Sequence, residues 1–134
     1  MPIFIGVVLP IAVGLFATLV GLDLERAFYS TVLLVVASYY ALFAVLGGSM
    51  HALLAECGVM VFFVVLAAIG FRTTMWLVVA GLLMHGLFDV VHGFLIANPG
   101  VPRDWPAFCA AYDIVAAAYL AVLVNRSRPR AAAR

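Results

Sequence analysis

Five apolar runs dominate this chain, and each is close to the length that crosses a lipid bilayer. A spanning helix needs roughly 20 mainly apolar residues. Residues 2–22, 27–46, 51–71, 75–96 and 107–124 meet that requirement, with short polar or Pro/Gly-rich breaks between them. Backbone groups inside hydrocarbon must find partners within their own segment, so open strands are excluded and the runs are expected to be helices. The sequence therefore predicts an all-α integral membrane protein, a bundle of five transmembrane helices in one domain over residues 1–125. A disordered tail is expected over 126–134.

Composition agrees. The chain is 68% hydrophobic and 10% charged, where a soluble domain is nearer half apolar and a quarter charged. Mean hydropathy is +1.25. The net charge of +1 comes without a basic stripe or interleaved aromatics, so nucleic acid is not an expected partner. The first run lacks the charged start and small-residue cleavage site of a signal peptide, and it reads as a retained helix with a kink at Pro10.

Loop charges predict orientation. Arg26, Arg72, Arg126, Arg128, Arg130 and Arg134 fall on one side of the alternating spans, and only Arg103, beside Asp104, falls on the other. The arginine-rich side is expected to be cytoplasmic, which puts the N-terminus outside and the C-terminus inside. Trp76 and Trp105 sit at opposite span ends, as interfacial anchors do.

Against this background "HGLFDVVH", residues 85–92, is out of place. His85, Asp89 and His92 recur at i, i+4 and i+7, so they share an arc of roughly 60° on one helix face. Glu56 in the third run and Asp113 in the fifth lie at matching depth, each roughly 8–10 Å below the outer end at about 1.5 Å per residue. Intramembrane ionisable residues avoid lipid and mark functional sites. Taken singly, each could be a packed histidine or a carboxylate bonded to a neighbouring helix. Taken together, three buried carboxylates need compensation from protonation, from imidazolium or from a cation.

Two imidazoles and several carboxylates form a ligand set for zinc, iron or manganese. The expected ligands are His85, Asp89, His92 and Asp113, with Glu56 as general base toward a metal-activated water. Zinc is the favoured ion and iron the alternative. A metal-free network is the competing reading. Cys57 and Cys109 are either a disulfide on the oxidising side or two inert thiols. Ser49 in "GGSMH" lacks the strand–turn–helix context of a nucleophile. Tyr39 or Tyr40 is a candidate for the pocket lining. Asp23, Glu25 and Arg26 read as a solvated turn capping the second helix.

The segment "LLMHGLFDVVHG", the following "NPGVP" and the downstream "CAAYD" resemble a family of small bacterial membrane proteins filed as domain of unknown function 6010. His85, Asp89, His92, Pro99, Cys109 and Asp113 are the matching positions, and Glu56, Glu25 and Arg26 are similar more loosely. Phe88 and Gly93 depart from the pattern, which has Trp and His there. The resemblance implies a multi-pass protein of the bacterial inner membrane and assigns no activity.

Three functional classes follow. The first is a metal-dependent, hydrolase-like membrane enzyme acting on a lipid or other apolar substrate, with oxidative chemistry if the metal is iron. The second is a non-enzymatic transport or accessory subunit with a proton- or ion-binding cluster, alone or as a homo-oligomer. The third is a polar cluster that serves helix packing only.

Overall fold

The computed structural model describes residues 1–127. Its elements are helices α1 (Pro2–Val20), α2 (Ala27–Leu46), α3 (Met50–Arg72), α4 (Met75–Leu95) and α5 (Trp105–Arg126), with a 3-10 turn at Leu22–Leu24. No strand occurs among the described residues. All five helices are long and apolar enough to cross a membrane.

The boundaries follow local chemistry. Gly21 ends α1 in the left-handed conformation, φ 80°, with its N–H on the Ala17 and Thr18 carbonyls, so the first helix stops at Val20. Ser49 caps α3 by accepting the Ala52 N–H at 3.2 Å, which gives that serine a structural role. Thr74 caps α4 through the Trp76 N–H at 3.3 Å. Helix α5 starts at Trp105, with Pro106 in its first turn, and runs to Arg126, past the expected end at 124. Arg126 is thus helical and Ser127 forms a turn. The expected disordered tail otherwise falls on 128–134, outside the described residues.

The turn before α2 does not cap it with a side chain. Thr18 instead donates to Asp23 at 2.6 Å, and Arg26 donates to the Gly70 carbonyl at 3.1 Å, tying the start of α2 to the end of α3. Helix α1 runs unbroken through Pro10 and packs on α5 through a stripe of small residues, Gly6, Pro10, Gly14 and Ala17. Gly6 meets Phe108 and Gly14 meets Tyr119, so these two helices run parallel. Small residues are the means by which helices approach closely where burial of apolar surface gives no advantage.

Two zones divide the interior. One is an apolar core of Tyr29, Leu33, Val36, Ala37, Phe63, Ala67, Val78, Leu82, Ala116, Ala117 and Leu120. The other, toward the α4–α5 connection, holds the ionisable residues. The outer surface is the reverse of a soluble protein's: Phe4, Leu19 and Phe94 are 69%, 85% and 92% exposed. Such continuous apolar exposure calls for a lipid or protein environment.

Candidate active site

On α4 the buried positions are Val78, Gly81, Leu82, His85, Gly86, Asp89 and His92. The spacing of 4, 3, 4, 3 through 78, 82, 85, 89 and 92 is one inward stripe. Its first half is apolar and its second half ionisable, so the helix that builds the core also carries the site. His85, Asp89, His92, Glu56 and Asp113 are each at most 2% exposed. The structure brings all five predicted residues into one interior.

They form two linked groups. In the first, His85 Nδ1 lies 2.6 Å from Asp113 Oδ2 and 3.5 Å from Asp89 Oδ2. In the second, His92 Nε2 lies 2.7 Å from Glu56 Oε1, which also accepts the Asn98 side-chain amide at 2.9 Å. Tyr40 joins the groups: its hydroxyl donates to Asp89 Oδ1 at 2.7 Å, and its ring stacks on His92 with centroids 3.8 Å apart. Phe63 and Phe88 stand beside His85 at centroid distances of 4.9 and 6.2 Å and help keep this region apolar.

Close backbone approach sets this geometry. A Cβ on Gly86 would sit 3.1 Å from the Ala110 carbonyl oxygen and 3.2 Å from Asp113 Cβ, so any larger residue there would have to push α5 back by a few tenths of an ångström, at the point where Asp113 reaches His85. Gly100 is pressed against the Phe43 carbonyl at the end of α2. That contact fixes the connection over the site, where Asn98 accepts the Gly100 N–H at 3.2 Å and donates to the Tyr40 carbonyl at 3.0 Å. Trp105 closes the same end against Tyr39 and Phe43, at 5.1 and 4.9 Å.

Several buried polar atoms here have no hydrogen-bond partner among the described residues: Glu56 Oε2, His85 Nε2, Asp89 Oδ2 and Asp113 Oδ1. Orphaned buried groups are costly and call for a ligand, an ion or water. One donor atom from each of His85, Asp89 and Asp113 lies within 4.8 Å of the others, a grouping able to hold a metal ion. A tetrahedral ion with ligands near 2.1 Å holds its donor atoms about 3.4 Å apart. The 3.5 Å pair already fits that spacing, and the 2.6 Å pair must open by about 0.8 Å. His92 stands apart from this group, bound to Glu56. Three ligands therefore converge where four were expected.

Asn98 was missed in the sequence. "NPG" reads as a turn, and turn chemistry hides an amide used for contact. Tyr40 was one of two candidates, and its partner Tyr39 faces Trp105 instead. Cys57 and Cys109 are both free thiols. His51 is exposed near the start of α3 and joins neither group. A cavity of about 580 Å³ between α1, α2 and α5 contains none of the five ionisable residues. Comparison with protein families, curated proteins and solved structures finds no match to this chain.

Proposed function

We propose that the chain is a multi-pass membrane enzyme whose reactive centre holds a divalent metal on His85, Asp89 and Asp113 and acts, hydrolase-like, on a lipid or other apolar substrate. The observation that carries this reading is that His85, Asp89 and Asp113 each bring one potential ligand atom within 4.8 Å of the others, and each also has a buried side-chain atom without a hydrogen-bond partner among the described residues. A doubly charged ion would neutralise the two carboxylates, which otherwise have no lysine or arginine bonded to them among the described residues. Zinc suits a site of one imidazole and two carboxylates, and iron is the alternative. Catalytic metal sites characteristically use three protein ligands and leave a position open, whereas structural sites are closed.

When bound, such an ion supplies Lewis acidity that polarises a carbonyl or phosphoryl group. The chain's own residues do the rest. His92 and Asn98 hold Glu56 through Oε1, which leaves Oε2 free to accept a proton as general base. Tyr40 fixes Asp89, and the aromatic rings of Phe63 and Phe88 exclude bulk water.

The competing transport reading needs a polar path through the bundle. Past His85 the interior passes to Leu33, Phe63, Leu82, Ala116 and Leu120, all buried and apolar, which favours a one-sided centre. The loop charges favour an orientation with the α4–α5 connection outside and the C-terminus in the cytoplasm of a bacterial cell. The resemblance to the domain-of-unknown-function 6010 family favours the inner membrane as its location.

Elemental analysis of protein purified in detergent without chelators tests the reading. About one zinc or iron per chain is expected, lost in His85→Ala and in Asp113→Ala. A wild-type protein that carries no metal and takes up neither zinc nor iron when supplied would sink the proposal.

A further inference from the structure

Two clefts lead from the surface to the ionisable cluster, and one residue stands on the rim of both. The first, about 450 Å³, opens sideways between α1, α4 and α5, with Asp89 in its lining and walls that include Ile3, Val90, Ala111 and Ile114. The second, about 440 Å³, opens beneath the α4–α5 connection and reaches His92 and Asn98. Arg103 lines both. Its side chain is exposed, and it makes no hydrogen bond or ion pair among the described residues. An unpaired guanidinium at the junction of two routes to a buried centre offers five N–H donors in a fork that matches phosphate or carboxylate oxygens.

The sideways cleft has opposed ends. Its rim is cationic and its walls are apolar. Its inner end carries the buried carboxylate of Asp89, with Oδ2 unpartnered. An anionic group is therefore attracted to the rim, while a neutral apolar portion can pass along the apolar walls toward the centre. Both cleft volumes fall in the range of small-molecule sites. Resting on the reading of the cluster as a reactive centre, we propose that the substrate is an anionic amphiphile. Its phosphate or carboxylate head is held by Arg103 at the rim, and its chain enters sideways from the lipid through the α1–α4–α5 cleft. The neutral segment next to the head is then what reaches Asp89 and its neighbours. Arg103 acts as a binding and specificity residue, outside the bond-breaking chemistry.

Trp105, two residues from Arg103, reports on the rim, and Trp76 at the start of α4 gives a constant background. The full chain in detergent micelles is titrated with bromine-labelled phosphatidic acid and, separately, with bromine-labelled phosphatidylcholine, and quenching of tryptophan fluorescence is followed. Phosphatidic acid is expected to bind about tenfold more tightly. Arg103→Gln should remove that preference and Arg103→Lys should keep most of it. Ile114→Trp, read by native mass spectrometry because it adds a fluorophore, should weaken both lipids by narrowing the cleft. Equal binding of the two lipids, or a preference that survives Arg103→Gln, would overturn the proposal. So would inorganic phosphate displacing phosphatidic acid at equal concentration, which would mark a free-anion site. Metal content measured on the same samples separates the two ideas. Arg103-dependent lipid selection without metal keeps this inference and removes the hydrolase reading. Bound metal without Arg103-dependent selection does the reverse.

Discussion

Tyr40→Phe separates a metal site from a packing cluster, because it removes one oxygen and nothing else. The ring stays stacked on His92, and the only side-chain bond lost is the hydroxyl's 2.7 Å donation to Asp89 Oδ1. Asp89 Oδ2 makes no hydrogen bond and lies 3.5 Å from His85 Nδ1, so the variant leaves the carboxylate with that longer ion pair alone at a position 1% exposed. Hydrogen bonds to charged groups contribute about 1.5–3 kcal/mol, and the stability of the metal-free protein should fall by about 2 kcal/mol. In an Asp89→Leu background the same change should cost nearly nothing, since both partners are then gone. If Asp89 is a metal ligand, Tyr40 orients it from the second layer, and losing that partner weakens metal affinity about 10–100-fold. At an ion concentration 100 times the wild-type Kd, binding stabilises the wild type by about 2.7 kcal/mol. For Tyr40→Phe the stabilisation should shrink to about 0.4–1.4 kcal/mol. Denaturant unfolding in detergent with and without zinc measures both quantities. A variant that loses stability but keeps the full zinc effect would refute Asp89 as a ligand. One that loses neither would refute the hydrogen bond itself.

His92→Phe should preserve metal stoichiometry, because His92 lies outside the three-ligand group, while stability falls by about 3 kcal/mol as Glu56 loses its imidazole partner. Loss of metal in this variant would return His92 to the ligand set. Gly86→Val should force α4 and α5 apart against the Ala110 carbonyl, cost about 1–3 kcal/mol and lower metal affinity sharply. Unchanged affinity would show that Asp113 does not depend on that close approach. In a background without Cys57 and Cys109, cysteine introduced at Arg103 should react with a membrane-impermeant maleimide in intact cells, and cysteine at Ser127 should react only after lysis. The opposite pattern would invert the orientation drawn from the arginines.

The helices were legible because long apolar runs leave so few choices. Twenty apolar residues with a polar break can do little else, and the observed ends differ from the expected ones by two residues at most. The inward face of α4 was legible from spacing alone, since ionisable groups at i, i+4 and i+7 share one face of the helix. What the spacing could not give was the pairing between helices. Whether His92 meets Asp89's neighbours or Glu56 depends on how α3 and α4 rotate against each other. Asn98 escaped notice for a related reason: its contact is made possible by Gly100 lying against the end of α2, a long-range backbone approach with no local signal.

The division of the bundle bears on why so costly a cluster is kept. Burying five ionisable side chains stabilises a fold poorly, and apolar replacements of similar volume often do as well or better. This chain already holds an apolar core on the same stripe of α4, where Val78 and Leu82 pack fully buried. Continuing that stripe with leucine at 85, 89 and 92 would extend the core with no unpartnered atoms. Instead the chain places glycine at 86, where α5 packs close, and at 100, where the α4–α5 connection packs on the end of α2, and leaves four buried polar atoms without partners among the described residues. A cluster kept for packing alone would be expected to satisfy its own hydrogen bonds. Here Tyr40 and Asn98 hold carboxylates of the cluster from outside, while Glu56 Oε2, His85 Nε2, Asp89 Oδ2 and Asp113 Oδ1 stay without a hydrogen bond among the described residues, which a packing role alone does not account for.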